Sequence, residues 1–526
     1  LTPSRRLFLL DAARLAAAFT AAGPSVLRAA PSNAAGYPFS LGVASGSPLP
    51  DSVILWTRIL PDPLDADSAP GLAVPLRWEV AQDEGFRNIA AKGSVIATPE
   101  LAHSVRVNAT GLQPGRWYWY RFLFGDAVSP VGRTRTAPAA GSMPDMLKLA
   151  VASCQHWEFG SYAAHRYIAE AQPDLVAFLG DYIYEWGPFQ RQHPQRAVRQ
   201  NESFDLASYR QRYAQYKSDP DLQAAHLAAP WIVTWDDHEV ANDYAADRDE
   251  RLSSDFAARR AAAYQAFYEH MPLRLPPPRS FANVRMVQRY DWGRLARFHV
   301  LDDRQYRAYE ACPKPGRGGS NSVSPRTCPS LLDPSRSMLG REQEAWLQDG
   351  LQGSKARWNI LAQQTLMAQS TQVPIVGADG GRFWTDGWDG YPAARRRLLD
   401  TLAGSGAANP LVLGGDVHTF YATELRADFS RPASKDNPVI ATEFVGTSVT
   451  SSSRPQQRTA EYVEMNPHIK FGRSDRRGYM LLEVTPKETR THFMGLDEVR
   501  DPKTAQRELA AFRVVDGTAG VEVTNG

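Results

Sequence analysis

An excess of charge of either sign is missing from this chain: 59 Lys and Arg against 57 Asp and Glu leave a formal net charge of +2 over 526 residues. So even a balance carries no electrostatic footprint for nucleic acid, and no nucleic-acid partner is expected. No apolar run is long enough to cross a bilayer, so the mature protein is expected to have no transmembrane segment. Internal repeats and long low-complexity tracts are also absent, which excludes solenoids and disordered arrays. Cysteine is scarce. The three present divide into a pair, Cys312 and Cys328, flanking a Gly/Ser/Pro-rich segment, and a single, Cys154, ending an apolar run. The pair reads as a disulfide stapling a loop, worth about 3 kcal/mol in the chain-entropy account.

What is present, 43% hydrophobic and 22% charged residues, is the composition of a globular protein, and the length calls for two or more domains. Residues 1–35 read as an address. Ser4-Arg5-Arg6-Leu7-Phe8-Leu9-Leu10 puts paired arginines before an alanine-rich apolar stretch closed by Gly23-Pro24. An amphipathic N-terminal helix competes with that reading, but the pattern resembles a bacterial twin-arginine export signal. That resemblance implies the twin-arginine translocation machinery as a partner and a periplasmic or secreted destination.

From 36 to 138 short period-two runs alternate with turn residues. Val53–Ile59, Leu76–Ala81, Val105–Ala109 and the aromatic Trp117–Phe124 are predicted strands,. Leu112-Gln113-Pro114 with Tyr118 resembles the tyrosine corner of immunoglobulin-like and fibronectin-like β-sandwiches, and Thr134–Pro144 reads as a linker. From 145 to 505 the pattern turns α/β, with two packed sheets expected. Leu147–Ser153, a helix over Tyr162–Ala171 stopped by Pro173, and Leu175–Leu179 make a βαβ unit. Trp231–Thr234, Phe298–Leu301, Asn359–Ala362 and Leu411–Leu413 are further buried strands. Arg307–Ser337 is one long loop-like insertion, and 506–526 is assigned as a C-terminal tail.

Titratable groups follow these strands one after another: Ser153-Cys154-Gln155-His156, Gly180-Asp181-Tyr182-Ile183-Tyr184-Glu185, Trp235-Asp236-Asp237-His238-Glu239, Asp302-Asp303-Arg304 and Gly415-Asp416-Val417-His418. The carboxyl ends of strands in an open α/β sheet face one crevice, so the groups are expected to converge. Alone, each has a plainer reading: a cysteine after a strand is usually packing and a Gly-Asp pair a turn. Together they form a hard, anionic donor set that suits ferric iron or calcium better than a tetrahedral structural zinc. His103, His226 and His492 lack such a context and read as ordinary residues.

These motifs resemble, over almost the whole chain, the alkaline phosphatase D family of calcineurin-like metallophosphoesterases, related to purple acid phosphatases. The resemblance implies an exported metal-dependent phosphate-ester hydrolase, a monoesterase and also a diesterase, in which a metal-bound hydroxide attacks phosphorus. It assigns Fe(3+) to Cys154, Asp181, Tyr184 and His418, and Ca(2+) to Asp181, Asp237, Asp416 and Asn242. His238 would bind phosphate or protonate the leaving group, with Asp236 and Glu239 orienting it. Arg304, Gln364 and Trp388-Asp389-Gly390-Tyr391 also resemble family segments, without assigned roles. The alternatives are a phospholipase-D-type phosphodiesterase on the same fold, a non-haem iron oxygenase, which the histidine-poor set disfavours, and a surface-binding module with a structural metal.

Overall fold

A computed structural model describes residues 36–189, 196–377 and 379–524; the expected export signal lies outside them. Among the described residues no helix is long and apolar enough to cross a membrane.

Two large sheets lie face to face. The first has ten strands, in the order Glu522–Thr524, Gln506–Val515, Glu488–Leu496, Gly478–Val484, Leu147–Ala152, Leu175–Leu179, Trp231–Thr234, Val43–Leu49, Ser52–Arg58 and Ser104–Thr110. The second has seven: Gln288–Trp292, Ala296–Val300, Trp358–Ala362, Pro410–Gly414, Val439–Val445, Phe420–Arg426 and Ile469–Arg473. Strand pleat explains the layering. Leu147, Leu149 and Val151 point into the core between the sheets, against Phe298, Val300, Ile360 and Leu411, while Ala150 and Ala152 point outward, against helices,. The helices Ala163–Ala171, Leu206–Lys217, Pro220–Ala228 and Phe256–His270 cover the outer face of the first sheet. Arg341–Gln352 and Pro392–Gly404 cover that of the second. With both faces covered, the central strands are continuous apolar runs, which is why they are legible in the sequence.

The expected βαβ unit is present: Leu147–Ala152 and Leu175–Leu179 pair in parallel, and the intervening helix ends at Gln172 in a left-handed C-cap before Pro173,.

In the N-terminal region Val74–Ala81, Ile89–Ala97, Trp117–Phe124 and Gly132–Arg135 form a smaller sheet. It packs Leu76, Val80, Tyr120 and Phe122 against Val53, Leu55, Val105 and Val107 of the ten-stranded sheet. Tyr118 Oη accepts from Gln113 N at 2.8 Å. The region is thus sandwich-like, but one of its two sheets continues into the C-terminal region, where Gly46 pairs in parallel with Trp231. Glycine is required there, because a Cβ would lie 2.6 Å from the Trp231 carbonyl oxygen.

Two expectations need correcting. The first two residues of the expected linker, Thr134 and Arg135, belong to a strand. Residues 506–524, the described part of the expected tail, belong to the fold: Gln506–Val515 is an inner strand of the ten-stranded sheet, with Phe512 fully buried. Its alternation is masked by the exposed neighbours Arg507 and Glu508 and by the half-buried Arg513.

Candidate metal centre

The parallel strands end on one side, and the residues following them converge. Ligand atoms of Cys154, Asp181 and His418 lie within 4.8 Å of one another, as do those of Asp181, Asp237 and His238, and of Asp181, Asp236 and Asp416. Asp181 is common to all three groups. Tyr184 Oη donates to Asp181 Oδ2 at 2.8 Å and lies 3.3 Å from His418 Nε2. Asp181, Asp237, His238, Asp416 and His418 line the floor of a cleft of about 430 Å³, and Cys154, Tyr184 and Asp236 are buried.

The backbone turns hard to bring them there. Cys154, Asp181, Asp416 and His418 all have positive φ, at 60°, 56°, 59° and 53°. Non-glycine residues in the left-handed region are strained, and such strain collects at functional sites. Gly180, at φ 102°, makes the turn before Asp181 possible, since a Cβ would lie 2.5 Å from Asp236 Cβ.

Other groups fix the donors. Glu239 accepts from the backbone N–H groups of Asp181 at 3.1 Å, Tyr182 at 2.5 Å and Asp236 at 2.7 Å, which locks the two loops together. His418 Nδ1 donates to Ser452 O at 2.7 Å, Thr365 Oγ1 donates to Asp416 Oδ2 at 2.7 Å, and Ser451 Oγ donates to Tyr184 Oη at 2.7 Å. Arg304, fully buried, pairs with Asp236 and reaches Asp386 at 2.6 Å, Asp237 at 3.7 Å and Asp416 at 4.0 Å. Gln364 Nε2 donates to Trp235 O at 2.6 Å and Leu301 O at 3.1 Å, tying three strand ends together.

The expected orienting role of Asp236 and Glu239 toward His238 is not what the structure places there. Glu239 is occupied by backbone amides and Asp236 by Arg304, whereas His238 Nδ1 donates to Glu185 Oε2 at 2.7 Å. Glu185 also accepts from Asn242 N at 2.8 Å. Asn242 lines the cleft, with its side-chain amide 3.3 Å from Glu250. Glu185 was legible as the charged end of the Asp181 loop. Asp386, Thr365 and the 451–452 segment carried no signal, because single polar residues in loops look like solvent contacts. Cys312 and Cys328 are bonded, with Cα atoms 6.0 Å apart, in the insertion whose Ser320 N donates to Asp243 Oδ2 at 3.1 Å.

The electrostatics show what this floor is built to hold. Burial and the neighbouring carboxylates push Asp181 well above the carboxylate range; burial, then Asp386, push Asp416 to about 6. Burial and Asp181 likewise raise the Cys154 thiol and the Tyr184 phenol. Burial, then Arg477, lowers His418 to about 3, a neutral imidazole with a lone pair to offer. His238 is the exception: burial opposes its charge, yet Glu185, Asp237 and Asp181 raise it well above the imidazole range. Asp181 Oδ1 and Asp236 Oδ2 are buried without a hydrogen-bond partner. A thiol, a phenol, orphaned carboxylates and a neutral imidazole, destabilised as anions by burial and by one another, are the donor set that bound cations would satisfy. The residues fit metal.

The chain matches the family model of the PhoD-like phosphatases over residues 149–493 and that of the PhoD-like phosphatase N-terminal domain over residues 25–138. It is 44% identical over 502 residues, 93% of this chain and 83% of the relative, to alkaline phosphatase D of Bacillus subtilis (strain 168). A solved structure of PhoD matches with a TM-score of 0.88 and 43% identity over 94% of each chain. Purple acid phosphatase PPD1 from yellow lupin (Lupinus luteus) seeds matches with a TM-score of 0.53 and 12% identity, over 90% of this chain and 73% of that one, a likeness of fold alone.

Proposed function

This chain belongs to the PhoD-like phosphatase family and is a metal-dependent phosphate-ester hydrolase, and on that premise we propose that it is exported by the twin-arginine route and hydrolyses phosphate mono- and diesters with ferric iron and calcium. One observation carries the reading of the metals: Asp181 is shared by donor groups of different character, one with Cys154 and His418, the others with Asp237 and His238 and with Asp236 and Asp416. The sulfur, phenol and imidazole side suits iron, and the all-carboxylate side suits calcium. Cys154, Asp181, Tyr184 and His418 would hold the first, and Asp181, Asp237 and Asp416 the second, with Asn242 at its rim. Bound there, the ions would supply Lewis acidity toward phosphoryl oxygens and lower the pKa of water.

The chain's own groups do the rest. His238 keeps its proton because Glu185 holds Nδ1, which leaves Nε2 to donate to a phosphoryl oxygen or to the departing ester oxygen. Arg304 stands behind the carboxylates and offsets their repulsion, so the floor keeps its shape when substrate arrives. The N-terminal region, from 36 to 138, is read as an immunoglobulin-like sandwich on the strength of its tyrosine corner,.

The test is metal analysis of protein purified from its native compartment, alongside hydrolysis of p-nitrophenyl phosphate and bis(p-nitrophenyl) phosphate with and without chelator. Iron and calcium, with activity lost on chelation, are expected. Full activity in metal-free protein would overturn the reading. Cys154→Asp is expected to keep metal but shift the visible absorption, since sulfur and carboxylate donate differently to iron. Arg5→Lys with Arg6→Lys is expected to leave the precursor in the cytoplasm.

A further inference from the structure

The cleft extends well beyond the residues that meet the reacting phosphate, and its outer wall differs chemically from its floor. Six aspartates line the cleft, Asp181, Asp237, Asp243, Asp386, Asp389 and Asp416, against one arginine, Arg454. Arg454 is half-buried and makes no hydrogen bond or ion pair among the described residues; its guanidinium carbon lies 4.9 Å from the Tyr462 ring centroid. Its neighbour on the same ring, Arg458, stands in contrast. Arg458 pairs with Glu461 at 2.5 Å and donates to Gln372 O at 3.1 Å, so its charge is already used within the fold. Facing the same space, Trp384 leaves 46% of its surface exposed at the end of a two-residue strand held by Ser322–Val323. Exposed indoles and guanidinium groups not engaged within the fold are common where planar or anionic ligands bind.

Arg454 is also held in a defined place. Ser451 Oγ donates to Tyr184 Oη, Ser452 O accepts from His418 Nδ1, and Arg477 Nη1 donates to Ser451 O at 2.6 Å. The segment that positions two donors of the floor therefore presents Arg454 three residues later at the wall. We propose that this wall is a subsite for the second arm of a phosphodiester, with Arg454 pairing with an anionic group on that arm, a carboxylate or a further phosphate, and Trp384 packing against its apolar or planar portion. The subsite rests on the phosphoesterase reading above: the floor binds the reacting phosphate, and the wall selects what is attached to it.

The test uses full-length metal-loaded protein and three p-nitrophenyl phosphodiesters that differ only in the second arm: 2-carboxyethyl, 2-hydroxyethyl and choline. Wild type is expected to favour carboxyethyl over hydroxyethyl in kcat/KM, mainly through KM. In Arg454→Ala the carboxyethyl-to-hydroxyethyl ratio should fall about tenfold, Arg454→Glu should turn the preference toward choline, and Arg454→Lys should keep the wild-type order. Trp384→Ala should raise KM for bis(p-nitrophenyl) phosphate about fivefold relative to the hydroxyethyl diester. Equal kcat/KM for all three arms in wild type, or an unchanged ratio in the alanine and glutamate variants, would overturn the subsite while leaving the phosphoesterase reading intact. Wild-type protein inert toward all three diesters and toward p-nitrophenyl phosphate would overturn both.

Discussion

Around Phe122 the N-terminal sheets keep apolar side chains inside, and the buried polar atoms without partners on their strands are the hydroxyls of Ser45, Tyr120 and Thr134 and the Nε atoms of Arg106 and Arg135, with no carboxylate among them. Around Asp181 the orphans include carboxylate oxygens, Asp181 Oδ1 and Asp236 Oδ2, and the backbone of Asp181 itself is turned into the left-handed region. An unpaired hydroxyl in a core costs about 1–3 kcal/mol, and an unpaired carboxylate more. The two regions share a single sheet, so the regular one can carry what the irregular one costs. The site is held in a conformation poor for stability and good for binding cations.

The largest effect that would test this contrast is expected at Asp181. Replacing it with alanine removes the donor common to all three groups, and kcat/KM for p-nitrophenyl phosphate should drop by about 10³-fold or more, together with metal content. Stability should move the other way. In chelator, Asp181→Ala is expected to unfold in urea no earlier than the parent, because a buried carboxylate with an unpaired oxygen has been deleted. A variant with wild-type turnover would sink the site, and one that is strongly destabilised in chelator would sink the contrast.

Next in size is Phe122→Ala in the N-terminal core. Cutting a fully buried ring should cost about 3–5 kcal/mol while leaving kcat within about twofold of wild type, since the residue touches nothing in the cleft. Because the sheet is continuous through Gly46 and Trp231, unfolding should remain one transition. Two separate transitions by fluorescence and calorimetry would mean that the halves fold independently.

The same contrast explains what could be seen in the sequence. Leu175–Leu179 and Trp231–Thr234 are strands as expected because covered parallel strands write their burial as unbroken apolar letters. The polar residues at their ends stood out for the same reason, so Cys154, Asp181, Asp237 and Asp416 could be picked before any geometry. A strand with a buried charge was harder to see. Val439–Val445 buries Glu443, which accepts from Met367 N at 2.6 Å and Ala368 N at 2.9 Å; a glutamate inside a strand breaks the pattern unless its partners, some 75 residues away, are known. Asp386 and Arg454 carried no signal, and Glu185 showed its place but not its partner, because their meaning lies in distances between loops, which spacing along the chain does not encode.

The smallest expected effect lies at the joint between the two regions. Lys217 ends the helix Leu206–Lys217 and is buried, with Nζ 4.2 Å from the ring centroid of Trp56 in the N-terminal part of the sheet and 5.2 Å from that of Tyr182 in the Asp181 loop. Burial lowers its pKa from 10.5 to about 7, a shift that the two aromatic faces oppose. The sign follows from proton counting. Between about pH 7 and 10.5 the unfolded chain binds a proton at this lysine that the folded chain does not, so the stability contributed here rises with pH across that window. Below it both states are protonated, and the cost of the buried charge is constant. From pH 7 to pH 9 the gain should be about 2 kcal/mol. Lys217→Met keeps the apolar stem and removes the charge, so the variant should be more stable than wild type at pH 7 and lose that part of the pH dependence. Urea melts of both proteins at pH 7, 8 and 9 measure it, and groups common to the two cancel in the difference. Parallel curves would mean that Lys217 stays protonated in the fold, its charge carried by Trp56 and Tyr182. The joint would then be a cation–π contact rather than a neutral amine sealed between the stable region and the strained one.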